Sequence, residues 1–207
     1  YNPLTSEEKY LAATFTYDSY ANLISTTDTL GRTTTTEYDT STYTYPVKTT
    51  NSLGQSIKKT YDFKTGNILT STDPNGQTSS YIYDEFYRLS KVIGPDDTQG
   101  SPGVIYEYDL STIPTRITKR IKVDNTNYLT YHSFYDGLGR LIQTKSPAPA
   151  EDDPATGKPR QLISDRLTFD IRGQVKEKYS SYYTFEVNAQ PDTKDLTTLA
   201  KFKFDYD

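Results

Sequence analysis

Cysteine, methionine and tryptophan are all missing from this chain of 207 residues, and histidine occurs once, at His132. Without cysteine there are no disulfides, no thiolate nucleophiles and no cysteine-based zinc sites, and the redox compartment stays open. No apolar run approaches the length that crosses a bilayer, so this segment is not expected to insert in a membrane. A basic excess is also lacking: 23 Lys and Arg are interspersed with 27 Asp and Glu, for a formal charge of -4. With no basic stripe, a nucleic-acid partner is not expected. None of the eight Asn begins an Asn-x-Ser/Thr acceptor, which weighs against a glycosylated eukaryotic ectodomain and favours a bacterial source. The absence of an initiator Met, and an ending at "KFKFDYD" in mid-pattern, suggest a segment of a longer protein.

What is abundant is tyrosine. Twenty Tyr raise the aromatic share to 14% in a chain whose hydrophobic fraction is only 33%. Tyr is therefore expected to supply much of the core. Tyrosine also marks a repeat. A Tyr-Asp pair recurs at Tyr17-Asp18, Tyr38-Asp39, Tyr61-Asp62, Tyr83-Asp84, Tyr108-Asp109, Tyr135-Asp136 and Tyr206-Asp207, with a Phe variant at Phe169-Asp170. Successive pairs are 21, 23, 22, 25, 27, 34 and 37 residues apart by those positions. The first steps are nearly constant, and the later ones lengthen through loop-like insertions near 94–103, 146–161 and 188–195.

Each unit reads as two strands and two turns. A turn such as "YDFKTGN", "YDGLGR" or "FDIRGQ" follows the pair; then come a strand, a second turn such as "DPNGQ" or "SLGQ", and a strand returning to the next pair. In "QTSSYIYD" the alternation sets Ser80, Ile82 and Asp84 on one face and Ser79, Tyr81 and Tyr83 on the other. Threonine-rich runs such as "RTTTTEYDTSTYTYPVKTT" favour strand. Residues 1–13 are a lead-in, where Thr5 and Glu8 have the spacing of a helix capping box.

The repeated residues have physical tasks at the corner. Asp can accept the backbone N–H two residues on. Gly139 and Gly173, or Gly66 one position later, supply the positive φ of a tight reversal. Tyr packs its ring on neighbouring strands and keeps its hydroxyl at a polar edge. Arg140 completes the best-formed corner, "YDGLGR". The units around Tyr43 to Pro46 and in "YDLSTIPTR" lack the glycine and are expected to be distorted or bulged.

One hairpin of this size cannot bury enough apolar surface to order itself, so units must pair edge to edge. Seven units give about fourteen strands, and an antiparallel sheet that wide curls rather than staying flat. The expected fold is all-β, an array of antiparallel hairpins spiralling into a curved sheet or part of a hollow shell.

The stretches "FYDGLGRLIQTKSP", "YDFKTGNILTSTDPNGQTSSYIYDEFYRLSKV" and "YDSYANLISTTDTLGRTTTTEYD" resemble the YD repeats of Rhs proteins, wall-associated bacterial proteins, teneurins and the B component of bacterial toxin complexes. From Tyr135 onward the chain is most similar to the toxin-complex B and SpvB-like branch, where "DGLGR" precedes a Pro-rich insertion and a degenerate "FD-x-RG" unit. The resemblance runs from about Thr14 to Asp207. It implies a secreted or cell-surface bacterial shell whose partners are the rest of the shell and an enclosed toxin polypeptide. The role it implies is structural, with no catalytic residue, cofactor or metal. Self-cleavage in such proteins depends on a segment beyond the repeats; "DPNG" at Asp73 to Gly76 sits mid-array and reads as a repeat turn. The alternative is a repeat module of a wall-associated protein that binds carbohydrate or a cell surface.

Sharper readings compete with plain ones at three places. His132 has Ser133 and Asp136 near it in sequence, but a strand and a corner need not bring them together, so His132 reads as a strand residue without chemistry. Asp96 and Asp97, and Asp152 and Asp153, lack the alternating ligands and distal Glu of a calcium loop and read as solvated loop acids. The tyrosines could stack on sugar rings, but their fixed place before Asp favours a structural ladder.

Overall fold

Alternating runs of Thr, Tyr and aliphatic residues become short strands wherever a Gly- or Asp-containing turn lets the chain double back. The computed structural model describes residues 12–148, 160–184, 188–193, 197 and 199–206. The Thr5 to Glu8 turn, Asp152, Asp153 and Asp207 lie outside the described residues. The chain divides into two units, Tyr1–Asp97 and Thr98–Asp207.

The first unit is an antiparallel meander of β1 (Thr14–Tyr17), β2 (Leu23–Thr27), β3 (Thr33–Tyr38), β4 (Pro46–Thr50), β5 (Ser56–Tyr61), β6 (Ile68–Thr72), β7 (Thr78–Tyr83) and β8 (Leu89–Ile93), each beside its sequence neighbours. Because alternate turns of a meander share an end, its Tyr-Asp corners all lie at one end of these strands. The register assigns the two faces. One carries Ser25, Thr27, Thr33, Thr35, Thr50, Ser56, Thr60, Thr70, Thr72, Thr78 and Ser80, with Glu37, Lys48, Lys58 and Ile82. Hydroxyls pair across it: Thr27 with Thr33 at 2.9 Å, Thr50 with Ser56 at 2.9 Å, Thr60 with Thr70 at 2.6 Å and Thr72 with Thr78 at 2.8 Å. The opposite face carries Phe15, Ile57, Tyr81 and Val92 among further Thr and Ser.

The second unit holds β9 (Val104–Asp109), β10 (Thr115–Lys122), β11 (Tyr128–Tyr135), β12 (Leu141–Pro147) and β13 (Gln161–Ser164) in sequence order. Then β14 (Leu167–Phe169) and β15 (Val175–Tyr179) turn away into a three-stranded sheet completed by β17 (Lys201–Lys203), while β16 (Tyr182–Thr184) returns to pair with β13. Every described pairing is antiparallel, and no α-helix occurs among the described residues.

Tyrosine supplies half of a small core, but most of the tyrosines are not enclosed. Among the described residues, the buried hydrophobic side chains are Phe134, Ile163, Tyr179 and Tyr182, with Pro102 also buried, all in the second unit. In the first unit the only buried residue among those described is Asp39. A single sheet layer leaves both faces in contact with solvent, so its Tyr rings cover neighbouring strands without being enclosed.

Candidate functional site

The repeat corner is one piece of hydrogen-bond geometry used many times. At Asp18, Asp28, Asn51, Asp73, Asp84, Asp136 and Asp170, Oδ1 accepts the backbone N–H groups of the second and fourth residues beyond, at 2.8–3.0 Å. The third residue beyond has positive φ: Ala21, Gly31, Gly54, Gly76, Tyr87, Gly139 and Gly173. Asp28, Asn51 and Asp73 belong to the second turn of the unit, so both ends of a hairpin use the same device. Their Asp/Asn-x-x-Gly spacing carries that signal in the sequence. Ala21 and Tyr87 carry no such signal, because the side chain is the wrong one for the conformation.

Three corners add an arginine. Arg32, Arg88 and Arg140 each return a guanidinium to the Oδ2 of the Asp four residues earlier, with Nε at 2.7 Å. The Arg140 side chain is the main cause that holds the Asp136 carboxyl below its usual range. At Asp28 the Arg32 backbone N–H leads and its side chain follows. At the next corner the Arg140 guanidinium lies 4.1 Å from the centre of the Phe169 ring. Gly173, three residues past Asp170, leaves room for that same guanidinium.

In three of the pairs the Tyr ties its strand to the one before. The hydroxyls of Tyr38, Tyr61 and Tyr83 donate to the carbonyls of Leu23, Pro46 and Ile68, at 3.4, 3.0 and 2.9 Å. Just before Tyr17, Tyr38, Tyr61, Tyr83, Tyr135 and Phe169 the register slips by one residue. The extra residue falls in the following strand, at Ile24, Val47, Leu69, Ser90, Ile142 and Lys176. A bulge increases local twist, so these six corners twist the strand pair in the same manner. The described second turns show no such slip.

The two corners expected to be distorted, at Asp39 and Asp109, depart from the pattern in different ways. Asp39 closes a longer loop and is buried. It accepts backbone N–H groups from Ser41, Thr42, Tyr43, Thr44 and Tyr45. Burial alone would raise its pKa, but those bonds outweigh it and hold the carboxyl far below the usual range. Tyr43 takes the positive φ there. Asp109 remains within β9, pairs opposite Arg116 without a bulge, and accepts from Arg116 at 3.0 Å and from Ser111. A cis Ile113-Pro114 bond lies in this turn.

The second unit has a buried polar cluster that the sequence did not announce. Thr118, His132, Gln143, Lys145 and Gln161 share one face of β10 to β13 with Phe134 and Ile163, and all are buried. Residues 188–193 lie over this face. Gln143 accepts the Asp192 N–H at 2.8 Å and donates to the Asp192 carbonyl at 3.4 Å. Lys145 donates to Asn188 Oδ1 at 3.1 Å, and Arg116 donates to the Ala189 carbonyl. The Asp192 carboxylate meets the Tyr182 hydroxyl at 2.9 Å and Arg166 at 3.4 Å. Burial first, and then acceptance by Asp192, push the Tyr182 hydroxyl up to about 12.

His132 does not form a catalytic group with its sequence neighbours. Its Nδ1 pairs with Thr118 Oγ1 at 3.0 Å. Ser133 points to the other face, opposite Thr144, and Asp136 is held by Arg140 at the corner. Burial first, then the charges of Arg116 and Lys145, push the imidazole down to about 4. With cations rather than a carboxylate around it, the ring lacks the orienting acid of a nucleophilic triad. In the 94–103 loop, Asp97 is used locally: its Oδ2 accepts the Gly94 N–H at 2.9 Å. Among the described residues no group of three or more His, Cys, Asp and Glu is arranged to hold a metal ion.

The unit of two strands, two Asx corners and a tethering Tyr also has a counterpart in known families. Residues 61–99 match the RHS Repeat family model. That segment is of the Rhs repeat type, and the same corner geometry recurs on either side of it. No curated protein matches the sequence. Among solved structures, the YD-repeat chain is similar in fold to the TcdB2-TccC3 crystal structure, with a TM-score of 0.66 at 16% identity over 83% of this chain and 11% of that one. TcdB2-TccC3 without its hypervariable C-terminal region gives a TM-score of 0.67 at 13% identity, covering 84% and 13%. The Photorhabdus luminescens Tc holotoxin pore gives 0.55 at 18% identity, covering 83% and 9%. The repeats described here thus span about a tenth of the chains they resemble.

Proposed function

We propose that this YD-repeat segment is part of the wall of a secreted bacterial shell that encloses a toxin polypeptide, and that its role is structural rather than enzymatic. The observation that carries this reading is the hydroxyl face of the first unit. From β2 to β7 that face presents paired Ser and Thr side chains, with Glu37, Lys48, Lys58 and Ile82, and no aromatic ring in the regular register. A wall facing an unfolded chain needs a surface that neither packs on exposed apolar side chains nor seeds strand addition. A paired hydroxyl face meets the first need because its polar groups satisfy one another. The fold likeness to TcdB2-TccC3 supports the same reading. Protease protection of the full-length protein tests it: the enclosed polypeptide is expected to survive digestion until the shell is opened. Digestion at the rate of the isolated polypeptide contradicts it.

A second reading, carbohydrate binding, is favoured by the corner rings Tyr20 and Tyr43. They stack with centroids 4.1 Å apart and remain 57% and 39% exposed. Glycan-array binding that is lost in Tyr20→Ala supports it, and absence of glycan binding by the wild-type chain removes it.

A further inference from the structure

Residues 188–193 are held on the second unit by an unusual set of groups. Of the three cations that reach this segment, Arg166 meets the Asp192 carboxylate, while Arg116, through the Ala189 carbonyl, and Lys145, through Asn188 Oδ1, are the two whose charge acts on His132. His132 and Lys145 are opposite each other across β11 and β12. The imidazole is 7% exposed and Lys145 is 1% exposed. On β10 the ring faces Thr118 and Arg116, on its own strand Phe134, and on β12 Lys145 and Gln143. The nearest acids are already engaged, Asp109 with Arg116, and Asp192 with Arg166 and Tyr182. Among the described residues, no carboxylate is therefore placed to receive a proton-bearing imidazole.

We propose that residues 188–193 are an acid-released strap: protonation of His132 puts a third positive charge beside Arg116 and Lys145, and the segment lifts from the face of β10 to β13. Closed, the strap keeps the ring dry and neutral, with its pKa near 4. Lifted, the ring returns to water and to its ordinary value near 6.5. A proton therefore binds the open form first, and acid draws the equilibrium toward it. Between those two values each unit of pH shifts it by up to tenfold, so the open fraction rises about 30-fold from pH 7.5 to pH 5.0. Asp192 N–H is the natural reporter, since it is bonded to the side chain of Gln143 and not to a strand.

Hydrogen–deuterium exchange of the intact chain, corrected for intrinsic rates, tests this on peptides spanning 188–193. The wild-type chain is expected to exchange about 30-fold faster there at pH 5.0 than at pH 7.5, with β10 to β12 unchanged. His132→Gln cannot take up the proton and is expected to show no rise. No rise in the wild type, or the same rise in His132→Gln, overturns the proposal. Should His132→Gln fail to fold, an NMR titration of the wild-type chain decides, because His132 is its only histidine. An imidazole that titrates well below 6.5 supports the strap, and an ordinary titration near 6.5 overturns it.

Discussion

The hydroxyl of Tyr83 donates to the carbonyl of Ile68, fifteen residues earlier, at 2.9 Å. Tyr61 does the same to Pro46, and Tyr38 to Leu23, so the Tyr of the repeat is a cross-strand tether as well as a packing ring. Tyr83→Phe keeps the ring and removes one hydrogen bond. It is expected to cost about 1 kcal/mol, seen as a lower urea midpoint at unchanged m-value. Tyr83→Ala also removes the ring and is expected to cost clearly more.

Backbone strain separates otherwise similar corners. A Cβ added at Gly139 meets nothing within 4 Å, so Gly139→Ala tests the positive φ alone and is expected to destabilise by about 1 kcal/mol. Ala21 holds a φ of 65 with a side chain that dislikes it. Ala21→Gly is therefore expected to stabilise by roughly 0.5 kcal/mol, the relief of strain exceeding the added freedom of the unfolded chain. Chemical denaturation of both variants checks the opposite signs.

Acid should loosen the corners together. The carboxyls of Asp28, Asp62, Asp84, Asp136 and Asp170 are all held below their ordinary value of 3.8. The folded chain thus binds fewer protons than the unfolded one near that pH. Their stabilisation is complete well above 3.8 and is lost as pH falls through the depressed folded values. Urea midpoints are expected to be flat with respect to these groups from pH 7 to 5 and to fall steeply below about 4. Asp136→Asn keeps an Oδ1 acceptor but gives up the charge paired with Arg140. It is expected to shallow that acid slope, with a smaller loss at pH 7 than Asp136→Ala.

Arg140 serves two corners, chelating Asp136 and covering Phe169. A double-mutant cycle with Arg140→Ala and Phe169→Leu is expected to return a coupling of about 0.5–1 kcal/mol. A coupling of zero would mean that the contact of 4.1 Å does no more than fill space.

How far the sequence could be read follows the range of each interaction. The Asp136 and Gly139 turn depends on five consecutive residues, so residue type and spacing expose it, and the all-β hairpin array follows from its recurrence. Tyr87 and Ala21 adopt the same turn without glycine, because the Asx bonds and the strands on either side fix the φ that the side chain opposes. The bulges at Ile24 and Ile142 were hidden, since they are a property of cross-strand register, which a single strand does not encode. Least legible was the strap: Gln143 and Asp192 are 49 residues apart and neither belongs to a motif. His132 reads as a plain strand residue in sequence; the burial that lowers its pKa, and the charges of Arg116 and Lys145 that add to it, come from the packing of β10, β12 and residues 188–193.

The central claim is that the hydroxyl face of the first unit looks onto an enclosed polypeptide. Site-specific photo-crosslinking in the full-length protein tests it with two neighbouring strand positions, Thr50 on that face and Ile57 on the other. A crosslinker at Thr50 is expected to label the enclosed polypeptide, and one at Ile57 is not. Labelling from Ile57 alone, or from neither position, would contradict it.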